Sequence, residues 1–99
     1  MSSRSNVRLS RRAREDMLDI WTYIAAENPA AADRIFDRIE QVFDMLAEHP
    51  LTGRQRPEVI PGSRSFAVTP YVIFYRVVND EVVIDRVVHG ARDLDDLDY

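Results

Sequence analysis

Arginine is the side chain with the greatest capacity for binding in this sequence, because all thirteen basic residues are arginine. A guanidinium presents a planar fork that matches carboxylates and phosphates, yet it stays protonated and is therefore a poor general base. Binding residues are often found in loops and at strand ends. The residues in such positions form the predicted target-binding set: Arg54, Arg56, Arg64, His89 and Arg92.

Other charged residues fall inside the predicted strands. Simple alternation along the last strand places Arg86 on the side of Ile84 and Val88, and Asp85 on the side of His89. We expect three charged residues of these strands to form sheet-surface or cross-strand pairs: Arg76, Asp85 and Arg86.

The sequence offers little for covalent or metal-dependent chemistry. It has no cysteine, and its two histidines, His49 and His89, lie forty positions apart without a ligand-like spacing. The three glycines are isolated, which excludes glycine-rich nucleotide loops, and no serine nucleophile motif is present. We predict no metal, no cofactor and no catalytic residue, while His89 could be either structural or functional.

Charge is segregated along the chain in a way that restricts its partners. Residues 1–14 carry +5, residues 15–53 carry −7, residues 54–92 carry +2 and residues 93–99 carry −4, giving a net charge of −4. An anionic chain binds nucleic acid poorly unless a local patch supplies cations, so we expect no direct binding of free nucleic acid. The sequence shows no secretory signal and no apolar run of membrane-spanning length, which favours a cytoplasmic protein.

Helical periodicity follows a short predicted strand at Asn6 to Leu9. Ser10 is a suitable N-cap for a helix from about Arg11 to Glu27, and Asn28 is suitable for a second helix from about Pro29 to Glu48. The short connection between them predicts an antiparallel helical hairpin.

A strand pattern replaces the helical one in the second half of the chain. Residues 64–69, 71–78 and 82–89 alternate or are rich in β-branched and aromatic types, and Asn79-Asp80 supplies a tight turn. Segment 51–57 is predicted to be a loop. The sequence therefore predicts one α+β domain, residues 1–99, of order β-α-α-β-β-β. An antiparallel helical hairpin is expected to pack on an antiparallel sheet, and residues 1–5 and 94–99 are the parts expected to be flexible.

Four segments in this order resemble the ParE branch of the ParE/RelE toxin superfamily. They are Leu9-Ser10-Arg11-Arg12-Ala13, Pro50-Leu51-Thr52-Gly53-Arg54, Tyr71-Val72-Ile73-Phe74-Tyr75-Arg76-Val77 and Val87-Val88-His89-Gly90-Ala91-Arg92-Asp93. The resemblance covers roughly residues 6–93, and its family has the β-α-α-β-β-β fold predicted above.

The resemblance implies a toxin that forms a hetero-oligomer with a ParD-like antitoxin and inhibits DNA gyrase by binding. The alternative is a RelE-like, ribosome-dependent messenger RNA endoribonuclease, for which His89, Arg92 and Arg64 are the candidate catalytic residues. Val72 stands where such enzymes can carry arginine, and lysine is absent, which favours gyrase. A nontoxic remnant that only binds its antitoxin is the third reading.

An antitoxin needs a surface on the toxin, and two kinds of residue could supply it. Apolar residues of the helices that lie outside the predicted core-facing stripes could line a groove or a sheet edge. The basic N-terminal segment could attract an acidic antitoxin tail. The predicted antitoxin-binding set is Leu18, Phe36, Met45, Arg11 and Arg14.

Overall fold

The computed structural model describes residues 6–93, with side chains as far as residue 91. The predicted flexible ends, 1–5 and 94–99, lie outside the described residues. The elements follow the predicted order, with a short helix after the last strand: β1 (Val7–Leu9), α1 (Arg11–Ala25), α2 (Pro29–Glu48), β2 (Arg54–Gln55), β3 (Arg64–Val68), β4 (Tyr71–Val78), β5 (Glu81–His89) and α3 (Gly90–Asp93).

The sheet has five strands in the order β1-β5-β4-β3-β2. Strands β3, β4 and β5 form the predicted antiparallel meander. Two features differ from the prediction. Strand β1 pairs in parallel with β5, so the sheet is mixed, and the predicted loop contains β2, which pairs with β3. The β1–β5 pairing joins residues 75 positions apart, and the alternation of side chains within a strand does not specify its direction or its partner.

The helical hairpin begins where the sequence indicates. The Ser10 side chain accepts a hydrogen bond from the Ala13 N–H at 3.0 Å, and the Asn28 side chain accepts one from the Ala31 N–H at 3.1 Å. These bonds satisfy free backbone donors at each helix start, and Pro29 occupies a position that needs no donor. The apolar stripes of both helices then cover one face of the sheet. That core contains Ala13, Met17, Ile20, Ile39, Phe43, Leu46, Ile73, Tyr75, Val82, Ile84 and Val87.

A β-bulge in β5 determines which residues of its second half face the helices. Tyr75 pairs with Ile84 and Phe74 pairs with Arg86, which leaves Asp85 as the extra residue. Arg86 reaches α1, on the side of Ile84 as predicted. The predicted sides of Val88 and His89 are wrong, because Val87 lies in the helix-side core and His89 packs beside Tyr71 of the same core. Asp85 pairs with Arg76 across the strands on the other face, with oxygen–nitrogen distances of 2.7 and 2.9 Å.

The Arg86 side chain joins β5 to α1 instead of pairing across the sheet. Its guanidinium donates to both carboxylate oxygens of Asp16, at 2.8 and 3.0 Å, and both side chains are 14% exposed. The same carboxylate accepts the Val87 N–H at 2.9 Å. Asp16 thus neutralises the largely buried guanidinium of Arg86. It also occupies the Val87 N–H, which lies on the edge of β5 that β1 does not cover.

Tyr75 provides a second anchor, between the sheet and the segment that follows α2. Its hydroxyl accepts the Gly53 N–H at 2.8 Å and donates to the Pro50 carbonyl at 2.7 Å. A Cβ at Gly53 would lie 2.5 Å from that hydroxyl, so only glycine fits. Burial raises the pKa of Tyr75 above its ordinary value of 10.0, partly offset by the Gly53 hydrogen bond and by Arg64.

Replacing Asp16 by asparagine should lower the free energy of unfolding by about 3 kcal/mol, because Arg86 would keep its burial but lose its counter-charge. Asp19→Asn is the matched control on the same helix, since Asp19 is exposed; it should change stability by less than about 0.5 kcal/mol. Urea unfolding of both variants provides the measurement. Equal effects would show that the Asp16–Arg86 pair does not anchor α1.

Replacing Tyr75 by phenylalanine should cost about 1–3 kcal/mol at neutral pH, because the Gly53 N–H and the Pro50 carbonyl would lose a buried partner. The exposed Tyr23 supplies the control, Tyr23→Phe. Since the folded protein holds the Tyr75 proton more tightly than the unfolded chain, wild-type stability should fall as the pH rises above 10.0. Tyr75→Phe lacks that group, so its stability should fall less over the same range in urea titrations.

Candidate functional site

The predicted target-binding arginines of β2 and β3 do not all present free guanidinium groups. Arg64 donates to the carbonyls of Leu51 and Gly53, at 3.2 and 2.8 Å, and so fixes the loop before β2. Arg56 donates to the Ser65 hydroxyl at 2.8 Å. The Arg54 residue is exposed, and its side chain forms no hydrogen bond or ion pair within residues 6–91. It is therefore the member of this group with a guanidinium available for a partner.

His89 lies in a different place, at the end of β5. Its ring stands edge-on to Tyr71, with centroids 5.7 Å apart. Both residues line a cleft of about 450 Å³ between α1 and the sheet, which we call the histidine cleft. It is lined by Asp16, Asp19, Ile20, Tyr23, Tyr71, Arg86, Val87 and His89.

The structure does not bring His89 and Arg64 together. Arg64 pairs with Tyr75 on β4, whereas His89 pairs with Tyr71, one strand further across the sheet. Strand rise and spacing place their backbones about 16 Å apart, and the Arg64 side chain is held at Leu51 and Gly53. The Arg92 side chain lies outside the described residues, so its prediction stays open. His89 has two carboxylates and the Asp16-bound Arg86 in its cleft.

The predicted antitoxin-binding residues differ in their exposure to solvent and in their contacts. Leu18 is 63% exposed, as expected of an off-stripe residue. Phe36 and Met45 were predicted to lie off the core stripes, but both pack partly against the core, and Phe36 stacks edge-on with Trp21 at 5.3 Å. The two arginines make local contacts on the surface, Arg11 with Glu15 at 3.3 Å and Arg14 with the Leu9 carbonyl at 2.9 Å. Whether an antitoxin uses these residues stays a prediction.

Sequence reasoning missed a second, basic cleft at the start of α1. It measures about 330 Å³, and we call it the arginine cleft; its lining is Ser10, Arg11, Arg12, Ile60, Arg76, Asp85 and Arg86. The parallel pairing of β1 with β5 assembles it, because the pairing brings Ser10 to the backbone of Ile84 and Asp85, at 2.9 and 3.0 Å. No local pattern relates residues more than sixty positions apart. The direction of β1 was the missing information.

Among the residues that the structure describes, no group of three or more histidine, aspartate or glutamate side chains converges as metal ligands do. None of the described helices has the length and apolar character needed to cross a membrane.

Comparison with known proteins gives consistent results. Residues 7–94 match the family model described as the ParE toxin of the type II toxin-antitoxin system parDE. The chain is 41% identical to toxin ParE3 of Caulobacter vibrioides over 59% of this chain and 58% of that protein. It is 39% identical to toxin ParE1 of the same organism over 85% and 88%, and 36% identical to its toxin RelE3 over 88% and 96%.

A solved structure shares the fold. It is described as the chromosomal ParDE toxin-antitoxin system from P. aeruginosa, and it aligns with a TM-score of 0.71 and 24% identity over 89% of this chain and 98% of that one. The arrangement of two helices on a mixed five-stranded sheet is therefore shared with that structure. From its match to the family model over residues 7–94, together with 39% identity to ParE1, this chain belongs to the ParE toxin family of type II toxin-antitoxin systems.

Proposed function

We propose that this protein is a cytoplasmic toxin that inhibits DNA gyrase by binding and that a ParD-like antitoxin neutralises it in a hetero-oligomer. The observation that carries the choice of gyrase is the separation of the groups a ribonuclease would need. His89 and Arg64 lie about 16 Å apart by strand geometry, and Arg64 is held at two loop carbonyls. A proton carrier and a phosphate clamp must both reach the same phosphodiester.

The setting of His89 adds to this argument. Its cleft also contains Asp16 and Asp19, and Arg86 there is already paired with Asp16. An RNA phosphate entering the histidine cleft would approach these carboxylates, and like charges repel more strongly where water is partly excluded. Binding another protein requires no such convergence of catalytic groups, so the arrangement favours inhibition by contact.

The antitoxin partner is supported by the family and by the solved ParDE system. An antitoxin is expected to cover exposed apolar and charged side chains of the toxin. Leu18 on α1, Leu51 after α2 and Tyr23 on α1 are large apolar residues that solvent reaches. They are reasonable contacts because burying such side chains removes apolar surface from water.

Endoribonuclease activity remains the second candidate, and one observation favours it: relatives named RelE match this chain over most of its length, RelE3 over 88%. His89 is also accessible at a cleft, beside Tyr71, which could orient its ring. In that case His89 would carry the proton, and positively charged groups outside the histidine cleft would have to hold the phosphate.

Purified toxin should inhibit gyrase supercoiling of relaxed plasmid, and Arg54→Glu should weaken that inhibition by about tenfold, the loss expected for one interfacial charge contact. Arg54 is chosen because it is exposed and has no partner within residues 6–91. Arg34→Glu on α2, also exposed, is the matched control and should retain full inhibition. Folded toxin that leaves supercoiling intact would refute gyrase as target.

Induction of His89→Ala without antitoxin should stop growth as wild type does, because the proposed toxin performs no proton transfer. Transcript ends mapped after induction of wild type should show no new cuts at defined codon positions. Codon-positioned cuts that vanish in His89→Ala would establish the ribonuclease instead. Undiminished growth with wild type would identify a nontoxic remnant.

A further inference from the structure

The connection between α2 and β2 exposes a leucine at the centre of a turn. The Thr52 N–H donates to the His49 carbonyl at 3.1 Å, so residues 49–52 form a β-turn with Pro50 and Leu51 at its centre. Turn positions of this kind usually hold glycine, asparagine, aspartate or serine. Leu51 is nevertheless 68% exposed. Its side chain is therefore available to a partner instead of contributing to the core.

Two side chains of the sheet hold the backbone around Leu51. The Tyr75 hydroxyl accepts the Gly53 N–H at 2.8 Å and donates to the Pro50 carbonyl at 2.7 Å. The Arg64 guanidinium donates to the carbonyls of Leu51 and Gly53, at 3.2 and 2.8 Å. Backbone groups on both sides of the leucine are thus fixed before any partner arrives. A side chain on a fixed backbone loses less entropy on binding than one on a flexible loop.

This combination of exposure and rigidity distinguishes Leu51 from other apolar residues at the surface. In the described part of the chain, the other large apolar side chains that are exposed belong to regular elements, Leu18 and Tyr23 to α1 and Val77 to β4. Single exposed apolar residues on such elements are ordinary. Connections are usually more mobile than the elements they join, yet Tyr75 and Arg64 hold this one. An apolar side chain on a rigid support is the usual form of an interface anchor.

Arg54 follows the turn and indicates what kind of partner fits. Segment 50–55 contains no other charged residue, and the Arg54 side chain forms no hydrogen bond or ion pair within residues 6–91. A complementary surface offers an apolar pocket for Leu51 and a carboxylate for Arg54. A nucleic-acid duplex has a phosphate for the arginine, but it accepts a leucine only by unstacking its bases. A protein surface needs no such distortion, so the observations favour a protein partner.

We propose that Leu51 is the anchor by which this toxin binds its protein target. The leucine enters an apolar pocket of the target, and Arg54 pairs with a carboxylate at the rim of that pocket. Tyr75 and Arg64 are positioning residues that hold the turn. The inference rests on the proposed function in taking gyrase as the target. An antitoxin that covers Leu51, as proposed above, would also exclude the target from it.

The test measures binding of the full chain to purified gyrase without DNA, together with inhibition of supercoiling. Leu51→Ala should weaken both by about tenfold or more, because the apolar carbons that enter the pocket are removed. Leu51→Met keeps most of the apolar volume and should stay within about threefold of wild type. Val77→Ala removes exposed apolar surface from β4 and is the control. It should change binding by less than about twofold.

Two further measurements separate the anchor from the fold. Because Leu51 is exposed, Leu51→Ala should keep the thermal unfolding temperature of wild type. Arg64→Met leaves the leucine in place but removes the donor to two carbonyls of the turn. Its Gly53 amide should exchange faster with solvent than in wild type, and its affinity for gyrase should fall.

Defined outcomes would overturn the proposal. Gyrase binding by Leu51→Ala equal to that of wild type is one, and an equal loss in Val77→Ala is another. Wild type that binds a DNA duplex through Leu51 more tightly than it binds gyrase is a third. If folded wild type neither binds nor inhibits gyrase, the proposed target fails, and growth after induction without antitoxin decides the inference. Leu51→Ala should then lose growth arrest while Val77→Ala keeps it, and arrest by both variants would refute the anchor.

Discussion

The carboxylate of Asp16 joins the helical layer to the sheet at the part of β5 that β1 leaves unpaired. Strand β1 is only three residues long, and it pairs with β5 as far as Ile84. Beyond it, Asp16 accepts the Val87 N–H and both donors of Arg86. An unpaired strand edge is a template for unwanted association, and a charged side chain that occupies its donor reduces that risk. This contact also borders both clefts, because Asp16 and Arg86 line the histidine cleft and Arg86 lines the arginine cleft.

The bulge in β5 determines which face the residues after it occupy. Because Asp85 is the extra residue, Val87 joins the helix-side core and His89 lies opposite Tyr71, whereas unbroken alternation from Ile84 would place Val88 on that side. Asp85 holds Arg76 on one face, while Arg86 reaches α1 on the other. Both ion pairs border the arginine cleft. Bulges often redirect a side chain near functional surfaces, and here the redirected side chain is His89, which lines the histidine cleft.

The helices and strands were predictable from local sequence signals. Which residues lie together in the clefts depends on how the strands pair and in which register. Ser10 and Asn28 cap the helices as their types indicate, and the Asn79-Asp80 turn has the positive φ angles, 52° and 65°, that a tight hairpin requires. Segment 54–55 became a strand only because β3 lies beside it. Arg64 was predicted from its place near a loop, but its distance from His89 depends on strand register, which composition and spacing do not contain. The arginine cleft was missed for the same reason.

Arginine count is a poor guide to binding in this chain because the fold uses several guanidinium groups for its own backbone and carboxylates. Arg64 donates to two loop carbonyls, and Arg56 donates to the buried hydroxyl of Ser65. Arg76 is paired with Asp85, and Arg86 is paired with Asp16. Toxins named ParE and toxins named RelE match this chain over similar lengths, so the scaffold alone cannot decide between binding and catalysis. What separates the two is whether a proton carrier and a phosphate clamp meet. In this protein His89 and Arg64 lie on different parts of the surface. The side chains of Arg12 and Arg54, which form no hydrogen bond or ion pair within residues 6–91, lie where a second macromolecule can reach them.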